Sequence, residues 1–228
     1  MRWIVTGANR GIGLELVRQL AKRGDTVEAG ARQPAEATEL GEIARASGGR
    51  VHVHPCDVTS DASVKAFAAA VSGAVDVLVN NAGVMGKMQS LEALDLSDTL
   101  KTFDANTLGP IRVTRAFLPH LQGAKTRRIV HITSGMGSIA DNTSGGAYGY
   151  RMSKAALNMA NKSMSIDLAP KGFVCVVMNP GWVKTDMGGS GAPTPVEESA
   201  AKMIAIIDGL SPEQNGAFLN YRGGTFPY

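Results

Sequence analysis

The 228-residue chain is 44% hydrophobic and 19% charged, with a mean hydropathy near zero, an ordinary composition for one globular α/β domain. Its net charge of +3, scattered basic residues and 5% aromatic content argue against a nucleic-acid surface. Cys56 and Cys175 stand far apart without a C-x-x-C spacing, which excludes a disulfide framework and offers no zinc ligand set.

Trp3–Thr6 reads as a first strand that runs into three glycines and then into the apolar-periodic helix Gly13–Arg23. Thr26–Ala29 and Val51–His54 read as the next two strands, with a helix over Ala35–Ala46 between them. A helix over Asp61–Val71 leads to a strand at Val75–Asn80, and a longer helical stretch around Thr107–Leu121 leads to a strand at Arg128–Thr133. The helix Tyr148–Ala169, the strand Phe173–Met178, the helix Glu197–Leu210 and the strand Ala217–Asn220 follow. Several strands are continuous apolar runs, as strands covered on both faces should be. Such alternation predicts a Rossmann-like α/β fold, a doubly wound parallel sheet of about seven strands in one domain over 1–228. Ser134–Gly149 and Gly188–Pro195 are the richest in helix breakers. Both follow a strand, at the edge where open α/β sheets bind ligands.

The first turn, Gly7-Ala-Asn-Arg-Gly11-Ile-Gly13, is chemically the most telling. Glycines let a backbone approach a pyrophosphate, and the following helix offers it unpaired N–H groups and the positive end of a dipole. The G-x-x-x-G-x-G spacing differs from the common G-x-G-x-x-G fingerprint, and a plain strand-to-helix turn could carry the same glycines. The second anchor is Tyr150-Arg-Met-Ser-Lys154. Positions i and i+4 share a helix face, so phenol and ammonium point into one space. Bringing a Tyr from a pKa near 10 to neutrality takes roughly 4 kcal/mol of phenolate stabilisation. A Lys and a cationic nicotinamide ring could supply that by proximity, making the Tyr a workable acid/base.

Taken in order, the motifs resemble those of the short-chain dehydrogenase/reductase family in its single-domain form. Thr6–Gly13 matches the cofactor loop, Cys56-Asp57-Val58-Thr59 the segment flanking the adenine, and Asn80-Asn81-Ala82-Gly83 the N-N-A-G motif. Asn106-Thr-Leu-Gly109, Tyr150-x-x-x-Lys154 and Asn179-Pro180-Gly181-Trp-Val183-Lys-Thr185 complete the series. The resemblance implies a catalytic set of Asn106, Ser134, Tyr150 and Lys154. It also implies cofactor contacts from Gly7, Asn9, Arg10, Gly11, Ile12, Gly13, Arg32, Asp57, Val58, Asn81, Ala82, Gly83, Tyr150, Lys154, Pro180, Gly181, Val183 and Thr185. The serine is the least direct transfer. Ser134 ends the fifth strand, but its separation of 16 residues from Tyr150 is longer than in much of the family, so Asp141–Ala147 would have to bulge. Ser138 is the alternative, and Thr133 and Ser144 read as ordinary polar loop residues.

The implied reaction is hydride transfer between a nicotinamide and a carbonyl or alcohol. Tyr150 would move the proton, Ser134 would help bind the oxygen, Lys154 would hold the ribose and lower the Tyr150 pKa, and Asn106 would hold a water. The neutral Ala31 followed by Arg32, with Arg10 in the glycine loop, favours NADP(H) over NAD(H), because guanidinium forks suit a ribose 2′-phosphate. Glu28 should point away from that pocket by strand alternation. Asn179–Gly189 and Phe218–Tyr221 resemble the subgroup that holds the sniffer-type carbonyl reductases and the bacterial C-signal factor. That subgroup raises the alternative of a regulatory or signalling nucleotide-binding protein with little turnover. A short lid, Met187–Val196, suggests broad carbonyl specificity. No signal-peptide or membrane-spanning pattern is present, and a cytoplasmic homodimer or homotetramer, joined through the helices after Asn106 and around Tyr150, is expected without metal, membrane or nucleic acid.

Overall fold

Seven strands form one parallel sheet in the order β3-β2-β1-β4-β5-β6-β7 in the computed structural model, which describes residues 1–228. They are β1 (Arg2–Thr6), β2 (Thr26–Ala31), β3 (Val51–Pro55), β4 (Val77–Asn80), β5 (Arg128–Ile132), β6 (Val174–Asn179) and β7 (Phe218–Asn220). The order reverses between β1 and β4, so the loops at their carboxyl ends diverge and leave a crevice there. Helices α1 (Gly11–Arg23), α2 (Thr38–Ala46) and α7 (Val196–Asp208) cover one face. The other is covered by α3 (Asp61–Ala70), α5 (Gly109–Gln122) and α6 (Tyr148–Leu168).

Strand alternation sorts the core. Trp3, Val5, Val27, Ala29, Val77, Val79, Val130 and Val176 meet Leu16, Leu20, Leu40, Met203 and Ile207 on the first face. Ile4, Leu78, Ile129 and Cys175 meet Val64, Phe67, Val113 and Phe117 on the second. Both cysteines are free and buried, and burial pushes their thiols up to about 12, with the Asp57 charge adding to the shift at Cys56. They pack as small hydrophobes.

Three elements depart from the sequence expectation. The helix anticipated over Ala35–Ala46 splits at Ala37 (φ −85°, ψ 67°) into a single turn at Pro34–Glu36 and α2. An extra helix, α4 (Leu96–Phe103), precedes the one expected near Thr107. Asp95 caps it by accepting from the Ser97 and Asp98 N–H groups, yet it buries only Thr102, and the stripe of Leu96 and Leu100 at i and i+4 is turned outward, away from the core. Between α4 and α5 the chain makes a π-helical turn over Asp104–Leu108. Pro110 lies four residues beyond Asn106 and has no N–H to return to the Asn106 carbonyl, which disfavours a regular helix there.

Candidate active site at the carboxyl edge of the sheet

A groove of about 360 Å³ opens at the β1/β4 crevice. Gly7, Asn9, Arg10, Gly11, Ile12, Arg32, Asp57, Val58, Asn81, Ala82, Gly83, Tyr150, Lys154, Pro180 and Thr185 all line it. The glycines are required by contact. Gly7 has φ +64°, and a Cβ on it would fall 2.8 Å from the Ala82 Cα. One on Gly13 would fall 2.3 Å from the Gly7 carbonyl oxygen, so Gly13 serves to pack the turn and does not face the groove. Asn81 ties the turn down by donating to the Thr6 and Gly7 carbonyls at 2.9 and 3.1 Å. α1 starts at Gly11 without a side-chain cap, leaving its first N–H groups open to the groove. A cradle of this shape fits a dinucleotide pyrophosphate.

The adenosine end is less simple than the motifs suggest. The Asp57 side chain accepts from the Thr59 N–H and hydroxyl at 2.9 and 2.7 Å. Burial would raise its pKa, but those bonds, with the Arg32 and Arg112 charges, bring it below the usual carboxylate value. Arg32 is exposed at the rim. Arg10 pairs with Asp186 at 3.0 Å, linking the glycine loop to the segment after β6, and both side chains are mostly exposed. Glu28 faces the opposite way, as strand alternation requires. Its buried carboxylate meets His52 at 3.0 Å, His54 at 2.6 Å and the Arg2 Nε at 3.0 Å.

Tyr150 and Lys154 lie one turn apart on α6, both buried, with the ammonium 5.8 Å from the phenol ring centre. Burial lowers Lys154 to about 8, and its Nζ donates to the Ile132 carbonyl at 2.9 Å. Burial also pushes the Tyr150 phenol up, and the neighbouring Ser134 hydroxyl offsets part of that shift. The ammonium's hydrogen bond goes to backbone and burial dominates.

Ser134 follows β5 with extended backbone and accepts from the Met136 N–H at 3.1 Å. The alternative, Ser138, is buried and accepts from the Asp141 N–H at 3.0 Å, capping the loop away from Tyr150. The extra residues between Ser134 and Tyr150 form an exposed loop that Arg151 gathers through the Met136 and Gly145 carbonyls and the Ser144 hydroxyl. This loop ends at Ala147, whose φ of +49° is the only positive value outside glycine. Thr133 is no ordinary loop residue. It is buried, donates to Asn158 Oδ1 at 2.7 Å and lines the groove, because β6 continues its strand pairing past Ile132.

Asn106, in the π-turn, is wholly buried and lies behind the groove wall. Its Oδ1 accepts from the Val84 N–H at 2.8 Å, while its Nδ2 donates to the Val84 carbonyl at 2.8 Å and to Ser153 Oγ at 3.0 Å. Ser153 was legible only as a small hydroxyl inside Tyr150-x-x-Ser-Lys154, and its part in joining α6 to the π-turn has no spacing signal. Val84, Ala105, Ile132 and Met187 also line the groove without a motif of their own. Gly181 and Val183 lie outside its lining. Gly181 is pressed against the Tyr221 ring, and Val183 is buried in a bridge to Thr194. The short lid is tied at Gly188 to the segment before it, the Gly188 N–H donating to Thr185 Oγ1 and the Trp182 indole to the Gly188 carbonyl.

Sheet order, crevice and glycine cradle together define the Rossmann class of α/β domain. Comparison with known proteins narrows this. The family described as short chain dehydrogenase matches residues 2–194. The carbonyl reductase Sniffer of Drosophila melanogaster superposes with a TM-score of 0.96 at 35% identity, covering 100% of this chain and 99% of that one. An NADPH-bound carbonyl reductase from chicken fatty liver superposes with a TM-score of 0.94 at 36% identity, covering 100% and 98%. The C-signal protein of Myxococcus xanthus is 55% identical over 166 residues, 72% of this chain and 100% of that protein. The chain belongs to the short-chain dehydrogenase family. No helix is long and apolar enough to cross a membrane, and no cluster of three or more His, Cys, Asp or Glu side chains could hold a metal ion.

Proposed function

We propose that this protein is an NADP(H)-dependent carbonyl reductase that interconverts small carbonyl compounds and alcohols, with Tyr150 as the acid/base. The observation that carries this reading is the buried Tyr150 phenol, one helical turn from Lys154 and lining the same groove as the glycine turn. The bound nicotinamide would supply the hydride. Ser134 and Tyr150 would both donate to the carbonyl oxygen, and each such donor is worth about 3 kcal/mol in acyl-transfer enzymes. Burial keeps Tyr150 protonated, which suits a proton donor in the reductive direction. Lys154, held at the Ile132 carbonyl, would turn to the ribose hydroxyls and bring its charge to bear on the phenol. The Asn106 side chain is fully engaged by Val84 and Ser153, which leaves its backbone carbonyl, deprived of the usual donor by Pro110, to hold a water behind Tyr150. Arg10 and Arg32 would bind the 2′-phosphate, Arg10 exchanging its exposed partner Asp186 for a stronger anion. The same rim lacks an acidic residue at Ala31, and NADP is bound in the chicken relative.

A homo-oligomer in a reducing cytoplasm fits the surface and the free thiols. Met152, Met159 and Ile166 are exposed at seven-residue intervals along α6, and Leu96 and Leu100 are exposed on α4, which packs against it. A second reading is a signalling nucleotide-binding protein, favoured by the 55% identity to C-signal.

NADPH oxidation against quinones, diketones and aldehydes separates the two. Turnover that Tyr150→Phe reduces by about a thousandfold or more, with NADPH binding intact, supports the reductase. NADPH binding without turnover across the panel refutes it and favours the signalling reading. Arg10→Ala combined with Arg32→Ala should weaken NADPH by about a hundredfold and NADH by little. Equal losses for the two cofactors would overturn the 2′-phosphate role.

A further inference from the structure

We infer that the segment after β7, Gly223–Tyr228, is a positioning element for Ser134 and acts through Phe226. This rests on the reductase reading for its catalytic consequence, though not for its structural one. The chain reverses after β7: the Gly223 N–H donates to the Asn220 carbonyl at 2.8 Å and Leu219 pairs antiparallel with Thr225. The Phe226 N–H then donates to the Phe218 carbonyl at 2.7 Å, and the two rings lie 5.1 Å apart. The Tyr228 hydroxyl donates to the Gly216 carbonyl at 2.6 Å. These bonds fix the returning segment to β7 and leave it two contacts with the loop that carries Ser134.

The first contact is at Gly135, immediately after Ser134. A Cβ there would lie 3.2 Å from Phe226 Cζ and 3.6 Å from Cε1, so the ring edge rests on the bare glycine. The second is at the loop's far end, where the Ala140 N–H donates to the Tyr228 carbonyl at 3.0 Å. Between them the loop is held from α6, by Asn158 donating to the Gly137 carbonyl at 3.1 Å. The Ser134 hydroxyl is held by the Met136 N–H and its carbonyl by the Gly137 N–H, both partners within the same loop, and the hydroxyl also neighbours the Tyr150 phenol. Its direction toward Tyr150 therefore depends on where Gly135 sits, and Phe226 bears on that residue while α6 grips the loop two residues further on. A reacting group displaced by about 1 Å can lose around a hundredfold in rate, so a backing side chain outside the groove can control turnover.

Phe226→Ala should lower kcat by about ten- to a hundredfold, leaving NADPH affinity within about twofold, whereas Phe226→Met, which fills much of the same space without a polar group, should retain most of the activity. Gly135→Ala should also lower kcat, since its methyl presses on the ring, and adding Phe226→Ala should recover part of that loss instead of compounding it. Hydrogen exchange gives a readout independent of activity. In Phe226→Ala the amides of Gly135–Ala140 should exchange faster while those of the glycine loop and α1 do not. Unchanged kcat with unchanged exchange overturns the proposal. So does a loss spread over NADPH affinity and exchange throughout the chain, which would mark a purely structural role. If the wild-type protein turns over no carbonyl, the reductase reading fails and the exchange of Gly135–Ala140 alone decides whether the segment braces the loop.

Discussion

The two faces of the sheet are built from different materials. Toward α1, α2 and α7, every strand presents apolar side chains, from Val51 and Val27 through Trp3, Val79 and Val130 to Val176 and Leu219. Toward α3, α5 and α6, the same strands interleave polar groups: Glu28, His52, His54, Asn80 and His131, all partnered across the sheet or lying among buried helix residues. His131 is fully buried, and burial together with the Lys154 charge lowers it to about 3, so it stays neutral. Its Nε2, the Asn80 Oδ1 and both amide atoms of Asn161 lack protein partners. Tyr150 and Lys154 stand on this second face, and the lesson is a division of labour. One face is uninterrupted burial; the other interrupts its apolar core with charged and hydrogen-bonding groups, of which His131 is the one that feels the Lys154 charge.

That division can be broken from either side. Leu20→Ala on the apolar face should cost about 2–5 kcal/mol, because the side chain is fully buried, while leaving the preference between NADPH and NADH untouched. Urea unfolding and cofactor titration check the two halves.

On the polar face, burial pushes the Glu28 carboxylate up, but hydrogen bonds from His54, Arg2 and His52 outweigh it and bring it to about 2. A lowered folded pKa stabilises above the ordinary value of 4.5, and the benefit, roughly 3 kcal/mol, fades as pH falls from there toward 2. Glu28→Gln should lose most of it at neutral pH and show a flatter acid limb in stability against pH. The smallest effect is expected at the foot of α6. Ala147→Gly removes the left-handed strain and should raise stability by about 0.5–1 kcal/mol, read as a shift in the urea midpoint.

The apolar face was the legible one. Runs such as Trp3–Val5 and Val77–Val79 announce their strands, and the glycine turn and Tyr150–Lys154 spacing announce the groove. What escaped was decided by contacts distant in sequence. α4 is only eight residues long and turns its Leu96 and Leu100 stripe outward, so too short a period was on offer to set it apart from the loop before it. The π-turn follows from Pro110 acting on Asn106, and Ser153 matters because Asn106 approaches it from another helix. Thr133 reads as the end of the fifth strand but with no part in the site, because its buried bond to Asn158 is made with a distant helix, α6. The i, i+4 spacing brings Tyr150 and Lys154 together, while the burial that raises the phenol is set by contacts the spacing does not report.

The returning segment after β7 has a consequence for how copies of the chain can meet. An open parallel sheet exposes two rows of unpaired backbone groups, each an invitation to strand-to-strand association. Here the β7 row is only three residues long and is partly occupied by Thr225 and Phe226. At the opposite margin, β3 is five residues long and ends in Pro55, which has no N–H to donate. The β7 margin is thereby largely finished against sheet-to-sheet growth, whereas β3 loses only the donor of its last residue, so the two ends of one sheet differ in how open they are to a further strand.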